Sequence, residues 1–269
     1  MTKIDLKTSN AKEFKDFITA LGILDEFYFH IGKTGIHINE LSNDGISMVE
    51  GDLSKNLFSK WDVKEGILNV QRDHMKDALA HIKKNDQLSI KSATGKEEEP
   101  LLKFSIGKEE REMPYSDKPS ERELKKEPKV DFTAEITVPA KVIKEFLSKA
   151  KKIDRYVLLV ADKKRLILFC KGNNEKIREE IPVEKGINKL TTASFNIGVL
   201  GDMLKGAGKK ANIKMDMKTN EPLRLSYGTG YWNVKYWLAP YMMEEREKGL
   251  IEEALAQKSE NKKREKLRA

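Results

Sequence analysis

Four times along its length the chain repeats one pattern: a strand, a helix with one apolar and one lysine-bearing face, then further strands. A repeat of this size requires each module to bury the same face in the same way, so the product is quasi-symmetric. If the lysine faces all point the same way, they form one surface that surrounds or lines a polyanion.

In the first module TKIDLKT alternates as a strand, and AKEFKDFITALGIL puts Phe14, Phe17, Ile18 and Leu21 on one helical face. Lys12, Lys15, Asp16 and Thr19 lie opposite. The alternating runs EFYFHI, GIHINEL and ISMVEGDL follow, separated by GKTG and SNDG, whose glycine and asparagine suit tight hairpins. LFSKWDV reads as an additional strand. The second module runs ILNVQ, the helix RDHMKDALAHIKK buried through Met75, Ala78, Leu79 and Ile82, then QLSIKSA and PLLKFSIG.

Residues 108–130 hold three prolines and dense mixed charge without apolar periodicity, which predicts a linker. Beyond it, FTAEITV precedes a helix that starts after Pro139, buried through Val142, Ile143, Phe146, Leu147 and Ala150. Lys141, Lys144, Ser148 and Lys152 face away. Strands RYVLLVA, RLILFCK and EKIREEIPV come next, and a fourth helix is expected over about 194–207, with Lys205 and Lys209 turned outward. ANIKMDM, PLRLSYG and YWNVKYWLAP close the fourth module. The expected organisation is therefore a domain at 1–107, a linker at 108–130, a second domain at 131–243 and a charged tail at 244–269. In the tail, Leu250, Ile251, Ala254 and Leu255 have the spacing of a short helix.

The net charge of +8 favours an anionic partner, nucleic acid above all. No apolar run reaches the roughly 18 residues of a membrane span, and MTKIDLKTSN lacks a signal-peptide core, so the expected home is cytoplasmic or nuclear. Cys170 is the single cysteine, so neither an internal disulfide nor a cysteine-rich zinc site is expected. KGAGKK lacks the spacing of a phosphate-binding loop, YGTGYW reads as a hairpin turn, and no nucleophile elbow is present. His30, His37, His74 and His81 never take the tight spacing of metal ligands. The expectation is a protein that is not an enzyme, with no catalytic residue, no metal and no cofactor.

FTAEITVPAKVIKEFLSKAKKI, NIKMDMKTNEPLRLSYG and VKYWLAPYM resemble the second domain of proliferating cell nuclear antigen, the archaeal and eukaryotic sliding clamp. GIHINELSNDGISMVEGDL and DHMKDAL extend the resemblance through the first half, over residues 1–243 in order. What the resemblance implies is an α+β DNA clamp fold of two similar domains, each a doubled β-α-β-β-β unit, with helices on the inner face and antiparallel sheets outside. Three subunits, expected as a homotrimer, would encircle double-stranded DNA without sequence preference, as a processivity factor. Such a ring works in the nucleoid-bearing cytoplasm of a prokaryote or in a eukaryotic nucleus. The implied DNA-facing positions are Lys12, Lys15, Lys76, Lys84, Lys141, Lys144, Lys152, Lys205 and Lys209. Asp77 and Ala80 depart from the family, standing where lysine is common.

The family also docks short peptides of DNA polymerase, clamp loader, flap endonuclease and DNA ligase. The matching positions are Leu41, Met48, Pro222, Trp237, Leu238, Ala239 and Pro240. On their residue types alone, Trp237 and Leu238 read equally as the core end of the last strand. Ring closure is implied between edge strands at about 100–107 and 175–182, and the linker's sizeable apolar groups are Met113, Tyr115 and Leu124. The alternatives are a diverged clamp-like factor working as an open monomer or dimer, and a DNA-modifying enzyme on a basic scaffold.

Overall fold

The computed structural model describes residues 3–95, 99–118, 126–242 and 247–256, so Leu124 and most of the expected charged tail lie outside the described residues. The element order is β1 (Ile4–Thr8), α1 (Ala11–Ala20), β2 (Glu26–Ile31), β3 (Gly35–Leu41), β4 (Ser47–Ser54), β5 (Lys60–Val63), β6 (Gly66–Gln71), α2 (Arg72–Ala78), β7 (Leu88–Thr94), β8 (Pro100–Ile106) and β9 (Glu109–Pro114). It continues with β10 (Ala134–Pro139), α3 (Ala140–Ala150), β11 (Tyr156–Asp162), β12 (Arg165–Lys171), β13 (Lys176–Pro182), β14 (Thr191–Asn196), α4 (Ile197–Met203), β15 (Asn212–Met217), β16 (Leu223–Gly228), β17 (Trp232–Leu238) and α5 (Glu247–Ala256). A strand, a helix and three strands recur four times, with β5 added to the first copy. This is an α+β fold of antiparallel sheets.

Two compact units make up the chain. The first comprises Met1–Glu127, Asp202–Gly208 and Ser226–Tyr236; the second comprises Pro128–Gly201, Lys209–Leu225 and Trp237–Ala269. In the first unit the strands run β5-β1-β7-β8-β9 in one sheet and β17-β4-β3-β2-β6 in another. Alternation explains the second of these: Phe27, Phe29 and Ile31 in β2 and Ile36 and Ile38 in β3 point into the core, while the residues between them face outward. α1 buries Phe14, Phe17 and Ile18, as its periodicity predicts.

In the second unit β10-β15-β16 lie side by side, and β13-β12-β11-β14 form a sheet. Asp216 in β15, only 1% exposed, is held by the Arg224 guanidinium of β16 at 2.8 Å, and that guanidinium stacks 4.5 Å from the Phe132 ring. β11 and β12 are buried along almost their whole lengths. A strand so buried needs cover on both faces. α5 covers one of them, packing Leu250, Ile251, Ala254 and Leu255 against Leu158, Val160, Ile167 and Phe169.

Four expectations change. β9 lies within the stretch read as linker; it pairs along its length with β8, from Leu101 opposite Pro114 to Ile106 opposite Glu109. The edge of its sheet is therefore β9, and the 100–107 strand lies one place inside. The fourth helix begins at Ile197 rather than 194, because Asn196 caps it, its Oδ1 accepting from the amides of Gly198 and Val199 at 2.9 and 3.2 Å. Residues 191–196 pair instead with β11. The second helix stops at Ala78, where Leu79, Ala80 and Ile82 close tighter turns three residues back.

Candidate nucleic-acid interface

α2, α3 and α4 each follow a strand directly and α1 follows β1 after two residues; each buries one face, which leaves the opposite face to carry charge. In α1, Lys12 is exposed and pairs with Asp16 one turn on. Lys15 is committed differently. Its ammonium donates to the carbonyl of Ala80 at 2.7 Å and to that of Ile82 at 3.5 Å, capping the turns that end the α2 segment. The small residue at position 80 thus leaves a carbonyl open to a lysine from the neighbouring helix.

Lys76 lies exposed on α2, near Asp73 at 3.9 Å. Loss of hydration, then the charge of Arg72 and more weakly that of Lys205, lower the Lys76 ammonium from the usual lysine range. Lys76 and Lys205 therefore feel one another's charge. Lys205 sits just past α4 on a turn fixed by close packing. A Cβ on Gly206 would come within 2.5–2.8 Å of Ala20, so only glycine permits this approach. The Tyr227 hydroxyl donates to the Met203 carbonyl at 2.6 Å, and the fully buried Tyr236 donates to the Ala20 carbonyl at 2.6 Å. Lys205 is left exposed, with Asp202 at 2.6 Å. Lys84 is exposed in the turn after α2, not on the helix.

In the second unit Lys141 is exposed on α3 and pairs with Glu145 at 3.7 Å. Lys144 is half-buried on the same helix, and loss of hydration lowers its ammonium from the usual lysine range. Lys152 is exposed in the turn after α3, and Lys209 is exposed in the turn before β15. The nine lysines are thus distributed along helix faces and the turns that end helices.

The residues expected to receive a peptide fall into three environments. Leu41 is half-buried in β3, directly opposite buried Met48 in β4. Trp237 and Leu238 are 2% and 1% exposed at the end of β17, so they complete its core. Pro222 and Pro240 are half-buried and Ala239 is exposed. Beyond Pro240 the chain is held by the Tyr241 amide on the Ser194 carbonyl at 2.7 Å and by the Tyr241 ring stacked 3.8 Å from Tyr156.

The spacing of histidines along the chain conceals one arrangement. His37, Glu50 and Asp52 are separated by up to 15 residues, and the β3–β4 hairpin brings a donor atom of each within 4.8 Å of the others. Only the hairpin's register, with His37 opposite Asp52, reveals it.

No protein-family model matches the chain. It is 27% identical over 228 residues to a DNA polymerase sliding clamp of Thermococcus gammatolerans, covering 81% of this chain and 89% of that one. It is 26% identical over 243 residues to the DNA polymerase sliding clamp of Methanocella arvoryzae, covering 88% and 98%. The fold matches that of A. fulgidus PCNA bound to the C-terminal region of FEN-1, with a TM-score of 0.78 and 23% identity over 90% of this chain and all of that one. PCNA from Thermococcus kodakaraensis matches with a TM-score of 0.77 and 19% identity, over 88% of this chain and all of that one.

Proposed function

We propose that this chain is a DNA polymerase sliding clamp of the proliferating cell nuclear antigen type, three copies of which close into a ring around duplex DNA. Clamps of this family are processivity factors and not enzymes. In this reading residues 1–107 and 131–243 are the clamp domains, residues 108–130 connect them with Glu109–Pro114 as a strand, and 244–269 is a tail.

The observation that carries the reading is the fourfold β-α-β-β-β order with lysine on every helix or on the turn that ends it. Lysine holds phosphate by sequence-independent attraction and counterion release, which suits a protein that must pass every sequence. The contacts are Lys12, Lys76, Lys84 and Lys205 in the first unit and Lys141, Lys144, Lys152 and Lys209 in the second. Lys15, already bonded to two carbonyls, contributes charge more than direct contact.

Closure uses β9 and β13, each the last strand of its sheet with one side unpaired by the sheet itself. Both edges offer unpaired backbone groups for inter-chain pairing; β9 is acidic, with Glu109, Glu110 and Glu112 against Arg111, while β13 balances Lys176 and Arg178 with Glu179 and Glu180. Clamps of this family associate with DNA polymerase, and a homologue binds a FEN-1 C-terminal region. For this chain the docking residues are Leu41 and Met48 in the first unit and Pro222, Trp237, Leu238, Ala239 and Pro240 in the second; polymerase, loader, flap endonuclease and ligase peptides are the clients.

Retention on DNA of defined topology tests the proposal. Protein placed on nicked circular duplex should co-elute with it and be lost when the circle is cut once. Retention that is indifferent to cutting would replace encirclement with ordinary surface binding.

A further inference from the structure

The outward face of the β2–β3–β4 sheet carries polar groups that neither DNA contact nor peptide docking uses. His37 in β3 stands directly opposite Asp52 in β4, and His30 in β2 stands opposite His37 on its other side. Glu50 lies two residues before Asp52, hence on the same face. His37 Nδ1 is 2.9 Å from Asp52 Oδ1, and donor atoms of His37, Glu50 and Asp52 lie within 4.8 Å of one another. His30, His37 and Asp52 border an open cleft of about 500 Å³ that is also lined by the turn at Thr229–Asn233.

We propose that His37, Glu50 and Asp52 form a divalent-metal site, with Zn²⁺ the best-matched ion. One imidazole nitrogen and two carboxylate oxygens are the donors of many three-ligand zinc sites, in which water or a fourth side chain completes the tetrahedron. Bond lengths of about 2.0–2.1 Å require donors roughly 3.4 Å apart, so the side chains close inward by small rotations. They have room to do so, since the side chains of His37 and Asp52 are 41% and 51% exposed. The ion takes the place of the proton shared by His37 and Asp52. Water completes the coordination, and His30, its ring centroid 6.4 Å from that of His37, lies beside the cluster.

The surroundings favour a cation. Lys235 donates to Glu50 Oε2 at 2.9 Å and to Glu127 at 2.6 Å, which holds the Glu50 carboxylate in place. Its single positive charge is outweighed by Glu50, Asp52 and Glu127. Binding ties β3 to β4 across the hairpin, so the ion stabilises the first unit.

The full-length chain, stripped with chelator and titrated with Co²⁺, should bind one equivalent with the visible absorption of tetrahedral cobalt, displaced by Zn²⁺. His37→Ala and Asp52→Asn should each weaken binding at least about tenfold, while His81→Ala should leave it unchanged. Histidine resonances of the unmutated protein give a check that requires no variant: those of His37 should shift on adding Zn²⁺ and those of His74 and His81 should not. The site is excluded if the wild-type chain takes up no stoichiometric metal at micromolar concentration. It is equally excluded if His37→Ala and Asp52→Asn bind like wild type, or if only His74 and His81 respond, because the ion then lies elsewhere.

Discussion

Lys15 and Lys144 occupy equivalent places in the first and third helices, yet the structure gives them different tasks. Lys15 spends its donors on the Ala80 and Ile82 carbonyls, whereas Lys144 is half-buried with its ammonium lowered by lost hydration. Reversing charge at Lys144 and Lys205 together should reduce the salt dependence of duplex binding by about two phosphate contacts, a slope change near 1.8. Lys15→Ala should instead lower stability by about 1 kcal/mol with a smaller effect on the slope. Fluorescence titrations across a salt series, with thermal melts alongside, separate the two outcomes; equal slope changes would contradict the distinction. The helix periodicity exposed all these lysines to view. It did not reveal that position 80 offers a carbonyl to Lys15, because that contact spans 65 residues. Cys170 is a second residue whose state follows from packing. Burial, then the charge of Asp154, push its thiol up to about 11. A group raised in this way stays protonated at pH 8, so a thiol reagent should label the native protein far more slowly than the unfolded chain; comparable rates would mean an accessible sulfur.

At the scale of elements, strands with strict alternation were legible and two others were not. β9 reads EEREMP, and no period-two pattern survives in it; backbone pairing with β8 creates the strand. β14 reads TTASFN, small and polar yet buried, and it resembles the start of a helix until Asn196 is seen as a cap. These two omissions also displaced the expected closing edge and the start of the fourth helix. α5 shows the reverse case, since four apolar residues sufficed to place it and its docking surface supplied the stability that ten residues lack alone. Ending the chain after Met242 should uncover Val160 and Phe169, lower stability by roughly 2–4 kcal/mol and the melting temperature by roughly 5–10 °C, and raise binding of an apolar dye. An unchanged melt with no dye binding would mean that α5 contributes nothing there. Lys171 and Lys176, at 2.5 and 2.7 Å, hold Glu253 below the usual carboxylate range. Because the folded carboxylate is lowered, its contribution is present above the ordinary glutamate range and is lost as acid protonates it.

At the scale of the whole molecule, family and fold were both recognisable from the sequence, because four modules in order carry far more information than any short motif. The proposed docking residues were less legible: Trp237 and Leu238 fit the family pattern and the β17 core at once, and periodicity cannot separate these uses. The metal cluster was invisible for a related reason, since its members meet only through hairpin register. Ring closure requires the β9 edge of one copy to pair with the β13 edge of another. Light scattering of the full-length protein at micromolar concentration measures this most directly. A closed ring has three times the single-chain mass of 30.8 kDa, and a mass of one chain at every concentration would contradict it.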